Sequence, residues 1–160
     1  MTDTVYAGID PGSQGAIAVI AGDLVLIQDM PDLQGVLEYL RKTQPFDVEV
    51  ALEQVHPLPG QSCTASFTYG KNFGFAELLA LWFNEHPVYV SPQKWKKFYG
   101  LKKDPEETKT AYKKKSIALA RQLYPQAASL LKDSKDGRAE ALLIAHWLKE
   151  SSCNSSESVV

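Results

Sequence analysis

Residues 6–19, Tyr-Ala-Gly-Ile-Asp-Pro-Gly-Ser-Gln-Gly-Ala-Ile-Ala-Val, constrain the fold more than any other stretch of the chain. An apolar run ends on Asp10, Pro11 and Gly12 force a tight turn, and a second apolar run leads away. The pattern predicts two antiparallel strands joined by a short loop. It also places a carboxylate at a strand end, which fixes a side chain more firmly than a loop does. Asp10 is therefore either a metal ligand or catalytic acid, or a turn residue bonded to its own backbone. Which of these holds depends on whether other carboxylates converge on it.

The rest of the chain extends that beginning. Strands are expected over 5–10, 15–21 and 24–27, a three-strand meander. A helix starts at Pro31 with Leu33, Val36, Leu37 and Leu40 at i, i+3, i+4, i+7, and stops before Gln44-Pro45. Residues 48–53 alternate and close on a second carboxylate, Glu53, as strand four. His56 to Gln61 carries two prolines and a glycine and reads as a loop. A helix over 66–83 is interrupted by Gly70 and Gly74, which predicts close approach of another backbone. Residues 87–90 form strand five, a helix covers 106–124 before Pro125, and a last helix covers 136–149. The order predicts an α/β domain over 1–150, with a mixed five-stranded sheet and helices on both faces. The Ser-rich residues 151–160 are expected to be disordered.

At 160 residues the chain suits one domain with its own core. No run approaches the ~20 apolar residues of a membrane span, and no signal peptide opens the chain, so a soluble intracellular protein without membrane contact is expected. Cys63 and Cys153 lack metal-ligand spacing and read as free thiols. The net charge of −2 conceals an asymmetry. Lys94, Lys96, Lys97, Lys102, Lys103, Lys109, Lys113, Lys114 and Lys115 face only Asp104, Glu106 and Glu107, a local excess of six positive charges. One basic segment on an otherwise acidic protein suits a polyanion approached by one face. Trp95, Phe98, Tyr99 and Tyr112 are interleaved with these lysines, as rings for unpaired bases or as core residues.

Asp10 and Glu53 fall side by side if strands one and four are parallel neighbours. Asp136 and Glu140, four apart, share a face of the last helix. Four converging carboxylates cannot all stay ionised without a cation, and all-oxygen ligation suits Mg²⁺ or Mn²⁺ better than zinc. The alternatives are ordinary: Asp136 capping a helix, Glu140 facing solvent near Arg138, Glu53 as an edge charge.

Three segments resemble the signature segments of RuvC-type Holliday-junction resolvases, within the RNase H-like superfamily. They are Gly8-Ile9-Asp10-Pro11-Gly12, Glu53-Gln54-Val55 and Glu140-Ala141-Leu142-Leu143-Ile144-Ala145. The third is looser than the bacterial Asp-x-x-Asp pattern: Asp136-Gly-Arg-Ala-Glu140 is one residue wider, as in the phage and organellar branch, with Asp133 a reserve ligand. The resemblance implies a homodimer that binds a four-way DNA junction and nicks opposing strands with two Mg²⁺ ions, for which Mn²⁺ substitutes. It implies Asp10 as the bridging ligand, Glu53 on one ion, and Asp136 with Glu140 on the other. His56, in the loop after Glu53-Gln54-Val55, and the nine lysines are the expected DNA contacts, and His86 and His146 are structural. In the family the helix corresponding to 66–83 helps form the dimer seam, and the enzyme works in a bacterial or phage-infected cytoplasm or an organelle. Rival readings are an RNase H-like nuclease acting on RNA–DNA hybrids or other structured DNA, a silent junction binder, and an actin-like ATPase. The last lacks a second lobe and a second phosphate loop in this sequence.

Overall fold

The computed structural model describes residues 4–30, 33–42, 48–56 and 59–156. The meander is β1 (Val5–Asp10), β2 (Ala16–Ala21) and β3 (Leu24–Asp29). Then come α1 (Leu33–Lys42), β4 (Val48–Glu53), α2 (Cys63–Phe83), β5 (Val88–Val90), α3 (Pro92–Phe98) and α4 (Lys109–Leu123). A 3₁₀ helix (Pro125–Leu130) and α5 (Gly137–Ser156) follow. The strands form one sheet in the order β3-β2-β1-β4-β5. β1 pairs antiparallel with β2 and parallel with β4, and β4 is parallel to β5. This is the mixed five-stranded α/β sheet expected from the sequence.

Strand alternation divides the core in two. Ala7, Ile9, Val48, Val50 and Leu52 point to one face and pack on Ala76, Leu79, Ala80 and Phe83 of α2. Ala16, Ala18, Ile20 and Ala51 point to the other, under the apolar run 141–145 of α5 and under α3 and α4. Gly8, Asp10 and Glu53 have the parity of this second face. Two glycines set how low α5 lies on it. A Cβ at Gly8 would overlap the Ala141 carbonyl oxygen and the Ala145 nitrogen, and one at Gly137 would overlap the Gln14 carbonyl. The start of α5 therefore rests on the β1–β2 turn, beside Asp10.

Several boundaries differ from the sequence reading, each for a local reason. α2 begins three residues early, because the Ser62 hydroxyl accepts a hydrogen bond from the Ala65 N–H at 3.2 Å and caps it. Ser91-Pro92, expected only to follow strand five, is an N-cap followed by proline, and it starts α3. α4 begins at Lys109 rather than 106, capped by Thr108. The helix α5 continues through Ser156, so 151–156 are not the disordered tail expected. A helix already nucleated by buried residues propagates through serines at little cost. Leu37, assigned to an apolar stripe, is exposed. Outside the helix's own neighbouring backbone, no atom of the described residues lies within 4 Å of a Cβ built at Gly70 or Gly74, so among the described residues no other backbone approaches those glycines. The expected helix start at Pro31, its stop before Gln44-Pro45, and residues 157–160 lie outside the described residues. Among the described residues no helix is long and apolar enough to cross a membrane. Cys63 and Cys153 are both exposed.

Candidate active site

Asp10 ends β1 and Glu53 ends β4. The parallel register pairs Ile9 with Leu52, so the next step sets the two carboxylates side by side on the α5 face. The first turn of α5 brings Glu140 over them. Asp136 precedes that helix, and its carbonyl accepts the Glu140 N–H at 2.8 Å. The effects of these groups on one another report the convergence. Burial, then the charges of Glu53 and Glu140, push the Asp10 carboxyl up to about 8, against a hydrogen bond from the Gly12 N–H that lowers it. Asp136 adds to the rise. Burial also raises Glu53, to about 7, opposed by a hydrogen bond from Trp95 and reinforced by Glu140 and Asp136. Both shifts are those of carboxylates crowded in a place poor in water.

Each carboxylate has a distinct partner. Asp10 Oδ1 accepts from Gly12 N at 2.9 Å. Glu53, only 6% exposed, accepts from the buried Trp95 Nε1 at 2.8 Å. Glu140 is paired with Lys96 Nζ at 3.0 Å and accepts from the Ser116 hydroxyl at 3.3 Å. Asp136 is paired with Lys113 at 2.9 Å. With these partners engaged, no three Asp, Glu, His or Cys among the described residues are gathered around one ion position. The donor set itself, four carboxylates with no sulfur or imidazole, suits a hard divalent ion, and Asp136 and Glu140 would have to turn from their lysines to share it. Asp133, the reserve ligand, is highly exposed, and its carboxylate is held by Arg121 at 2.7 Å. It is not among the groups that shift Asp10 or Glu53.

The lysines divide by what they touch. Lys96 and Lys113 turn to the carboxylates. Lys115 bonds Asp104, Glu107 and the Lys102 carbonyl, tying down the loop before α4, and Lys94 lies over the Trp147 ring. Lys97, Lys102, Lys103, Lys109 and Lys114 are exposed. Lys96, Lys97, Lys102, Leu101 and Tyr112 line a groove on one side of the cluster. A second groove is lined by Ser13, Ser62, Thr64, Thr68, Tyr69 and Asn72. Tyr69 belongs to both the groove and the cluster: burial, then the charges of Glu53 and Asp10, raise its phenol. His56 is exposed just past β4. His146 accepts from or donates to the Tyr124 hydroxyl at 2.7 Å, away from the carboxylates.

Of its two sequence readings, base-stacking ring or core residue, Trp95 takes the second. A fully buried indole cannot stack on a base, and Tyr99 is likewise turned inward, its hydroxyl donating to the Leu143 carbonyl. Phe98 remains largely exposed. Ser116 and Tyr69 at the cluster were not foreseen; neither stands in a motif. The Ser-Pro start of α3 was the available signal for Trp95 and Lys96.

No family profile and no curated protein sequence matches the chain. Among solved structures, T. thermophilus RuvC in complex with a Holliday-junction substrate matches with a TM-score of 0.53 over 95% of this chain and 96% of that one, at 20% identity. The chain has the RuvC-type RNase H-like fold. In that fold β1, β4 and α5 are the elements that carry Asp10, Glu53 and Glu140 here.

Proposed function

We propose that this chain is a Mg²⁺-dependent endonuclease that acts as a homodimer on four-way DNA junctions, nicking opposing strands. The observation that supports the reading is that the charges of Glu53, Glu140 and Asp136 all reach the Asp10 carboxyl, beside a lysine-bearing groove and a hydroxyl-lined one. Asp10, Glu53, Asp136 and Glu140 would hold the ions. When bound, such ions supply polarisation of a scissile phosphate and activation of water. The chain's own residues hold the strand. Lys97, Lys102 and the other exposed lysines attract phosphates, Ser13, Thr64 and Thr68 offer neutral hydroxyl donors, and the buried cluster excludes bulk water. His56, exposed just past the end of β4, is a further candidate contact to the strand.

The outer face of α2 supports the dimer. Phe67, Leu78, Leu81 and Trp82 are exposed along one stripe that also carries Gly70 and Gly74, while the opposite stripe of the same helix fills the core. A helix apolar on both sides suits a second partner.

The T. thermophilus structure holds a Holliday junction, and that substrate is the one to test first. Labelled four-way junction, linear duplex and RNA–DNA hybrid should be incubated with the protein, with and without Mg²⁺. Paired, Mg²⁺-dependent nicks in the junction alone are expected. Preferential cleavage of the hybrid would move the protein to another RNase H-like specificity, and metal-independent binding without nicks would make it a silent binder.

A further inference from the structure

Glu53 is held by a side chain that the sequence offered only as a base-stacking or core residue. The strand register pairs Glu53 with Val90 at the end of β5. Ser91 then caps α3 at once, its hydroxyl accepting from Lys94 N at 3.3 Å. The first turn of α3 therefore folds back over the end of β4 and delivers Trp95 onto Glu53. Tyr99, one turn later, anchors α3 to α5 through the Leu143 carbonyl at 2.8 Å. Trp95 is 0% exposed, and its Nε1–H donates to Glu53 Oε1 at 2.8 Å.

We propose that Trp95 is a positioning residue for Glu53: its indole N–H fixes one carboxylate oxygen and so sets how the other is presented to the ion site. The inference rests on the metal reading above. Indole chemistry suits this task. The indole N–H is a donor only; it neither ligates a metal nor adds a charge that would repel one. It occupies one lone pair of Oε1 and leaves the other carboxylate oxygen free. Among the described residues no buried side-chain polar atom lacks a partner, so the hydrogen bond is an integral part of the core rather than an optional surface contact. Residues hydrogen-bonded to metal ligands typically alter metal affinity about 10–100-fold when replaced.

The experiment is calorimetric titration of Mn²⁺ into the full-length protein, read without any DNA. Trp95→Phe keeps most of the buried volume and removes the donor. It should weaken Mn²⁺ binding about 10–100-fold. In a Glu53→Ala background the same change should leave the residual affinity unaltered. A Trp95→Phe protein that binds Mn²⁺ as the wild type does overturns this inference and leaves the metal reading intact. So does an equal loss in the Glu53→Ala background, which would mean that Trp95 does not act through Glu53. A wild type that binds no Mn²⁺ overturns the metal reading, and this inference falls with it. Should Trp95→Phe fail to fold, the ¹⁵N-labelled wild type supplies the answer. Saturating Mg²⁺ should shift the Trp95 indole N–H signal, and a signal that stays in place overturns the proposal.

Discussion

Gly8 of β1 and Ala145 of α5 meet backbone to backbone: a Cβ on Gly8 would overlap the Ala145 nitrogen. Strand and helix touch there without an intervening side chain, and that contact sets the height of Glu140 above Asp10. Gly8→Ala must lift α5 or shift β1. Overpacking of this kind costs about 1–3 kcal/mol, so a lowered Tm is expected in thermal melts. Cleavage should fall further than the loss of folded protein accounts for, because the carboxylates separate. An unchanged Tm would show that the helix has room to move.

Asp10 gives a second prediction, with a sign that is easily checked. Its folded pKa of about 8 lies above the ordinary 3.8, so the folded state holds a proton that the unfolded chain has released. Glu53, raised from 4.5 to about 7, acts in the same direction. Stability of the metal-free protein should therefore fall as pH rises from about 4 to about 8. Asp10→Asn removes the largest part of that slope, should melt higher than wild type at alkaline pH in a chelator, and should abolish nicking while junction binding persists. Equal Tm values for the two proteins across this range would contradict the crowding.

Asp29 behaves oppositely. Arg138 donates to it at 2.7 and 3.0 Å and Lys132 at 3.3 Å, and these bonds hold its carboxyl at about 2. That stability is present above pH 3.8 and is lost as pH falls toward 2. Because Asp29 is partly exposed, the pair is worth at most about 1 kcal/mol and is screened by salt. Arg138 also donates to the Leu130 carbonyl, so it ties the start of α5 to the end of the 3₁₀ helix as well as to Asp29 of β3. Arg138→Gln should lower Tm modestly and cleavage more, and it should remove the acid-sensitive part of the melting curve. Retained acid sensitivity would assign it elsewhere.

Much of this geometry was legible in the sequence because it rests on short-range rules. Alternation and a Pro-Gly turn fix β1, β2 and the end position of Asp10, and β4 closes on Glu53 by the same logic. Helical spacing puts Asp136 and Glu140 together without any knowledge of the sheet. What alternation could not supply was α3. Seven residues are too few for a periodic signal, and the lysines around Trp95 left a core residue open to reading as a base-stacking ring. The destinations of Lys96, Lys113 and Lys115 were equally hidden, since a lysine's partner depends on tertiary contacts. The glycines of α2 were read from composition as allowing close approach of another backbone; among the described residues of one chain nothing approaches them, and no single sequence shows whether a second chain does.

The basic segment supplies a prediction about salt. Lys103 and Lys114 are exposed, whereas Lys115 is engaged with Asp104 and Glu107. If the exposed lysines neutralise phosphates, each should contribute about 0.9 to the slope of log affinity against log salt. Replacing Lys103 and Lys114 by Ala should flatten that slope without lowering Tm. Lys115→Ala should instead loosen the loop before α4 and lower Tm. Junction-binding isotherms at several salt concentrations decide this; a slope unchanged by the double replacement makes these lysines a solvated face.

The outer face of α2 yields the last prediction. A four-way junction offers two equivalent strands, and the described residues offer one candidate carboxylate site, so paired nicking calls for two chains related by a twofold axis. Phe67, Leu78, Leu81 and Trp82 leave an apolar stripe facing outward, and Gly70 and Gly74 lie along it with open space where a side chain would go. That openness makes Gly74→Glu a clean probe. A Cβ at Gly74 meets nothing within 4 Å among the described residues, and replacing glycine in a helix interior favours the helix by roughly half to one kcal/mol. Monomer stability should therefore be kept or raised. A second helix packed along the stripe would meet a buried charge without a partner and be displaced. Sedimentation should give a dimer for the wild type with junction DNA and a monomer for Gly74→Glu. The variant should nick slowly, with the two strands cut independently. If Gly74→Glu sediments and nicks as the wild type does, the outer face of α2 is not the dimer contact.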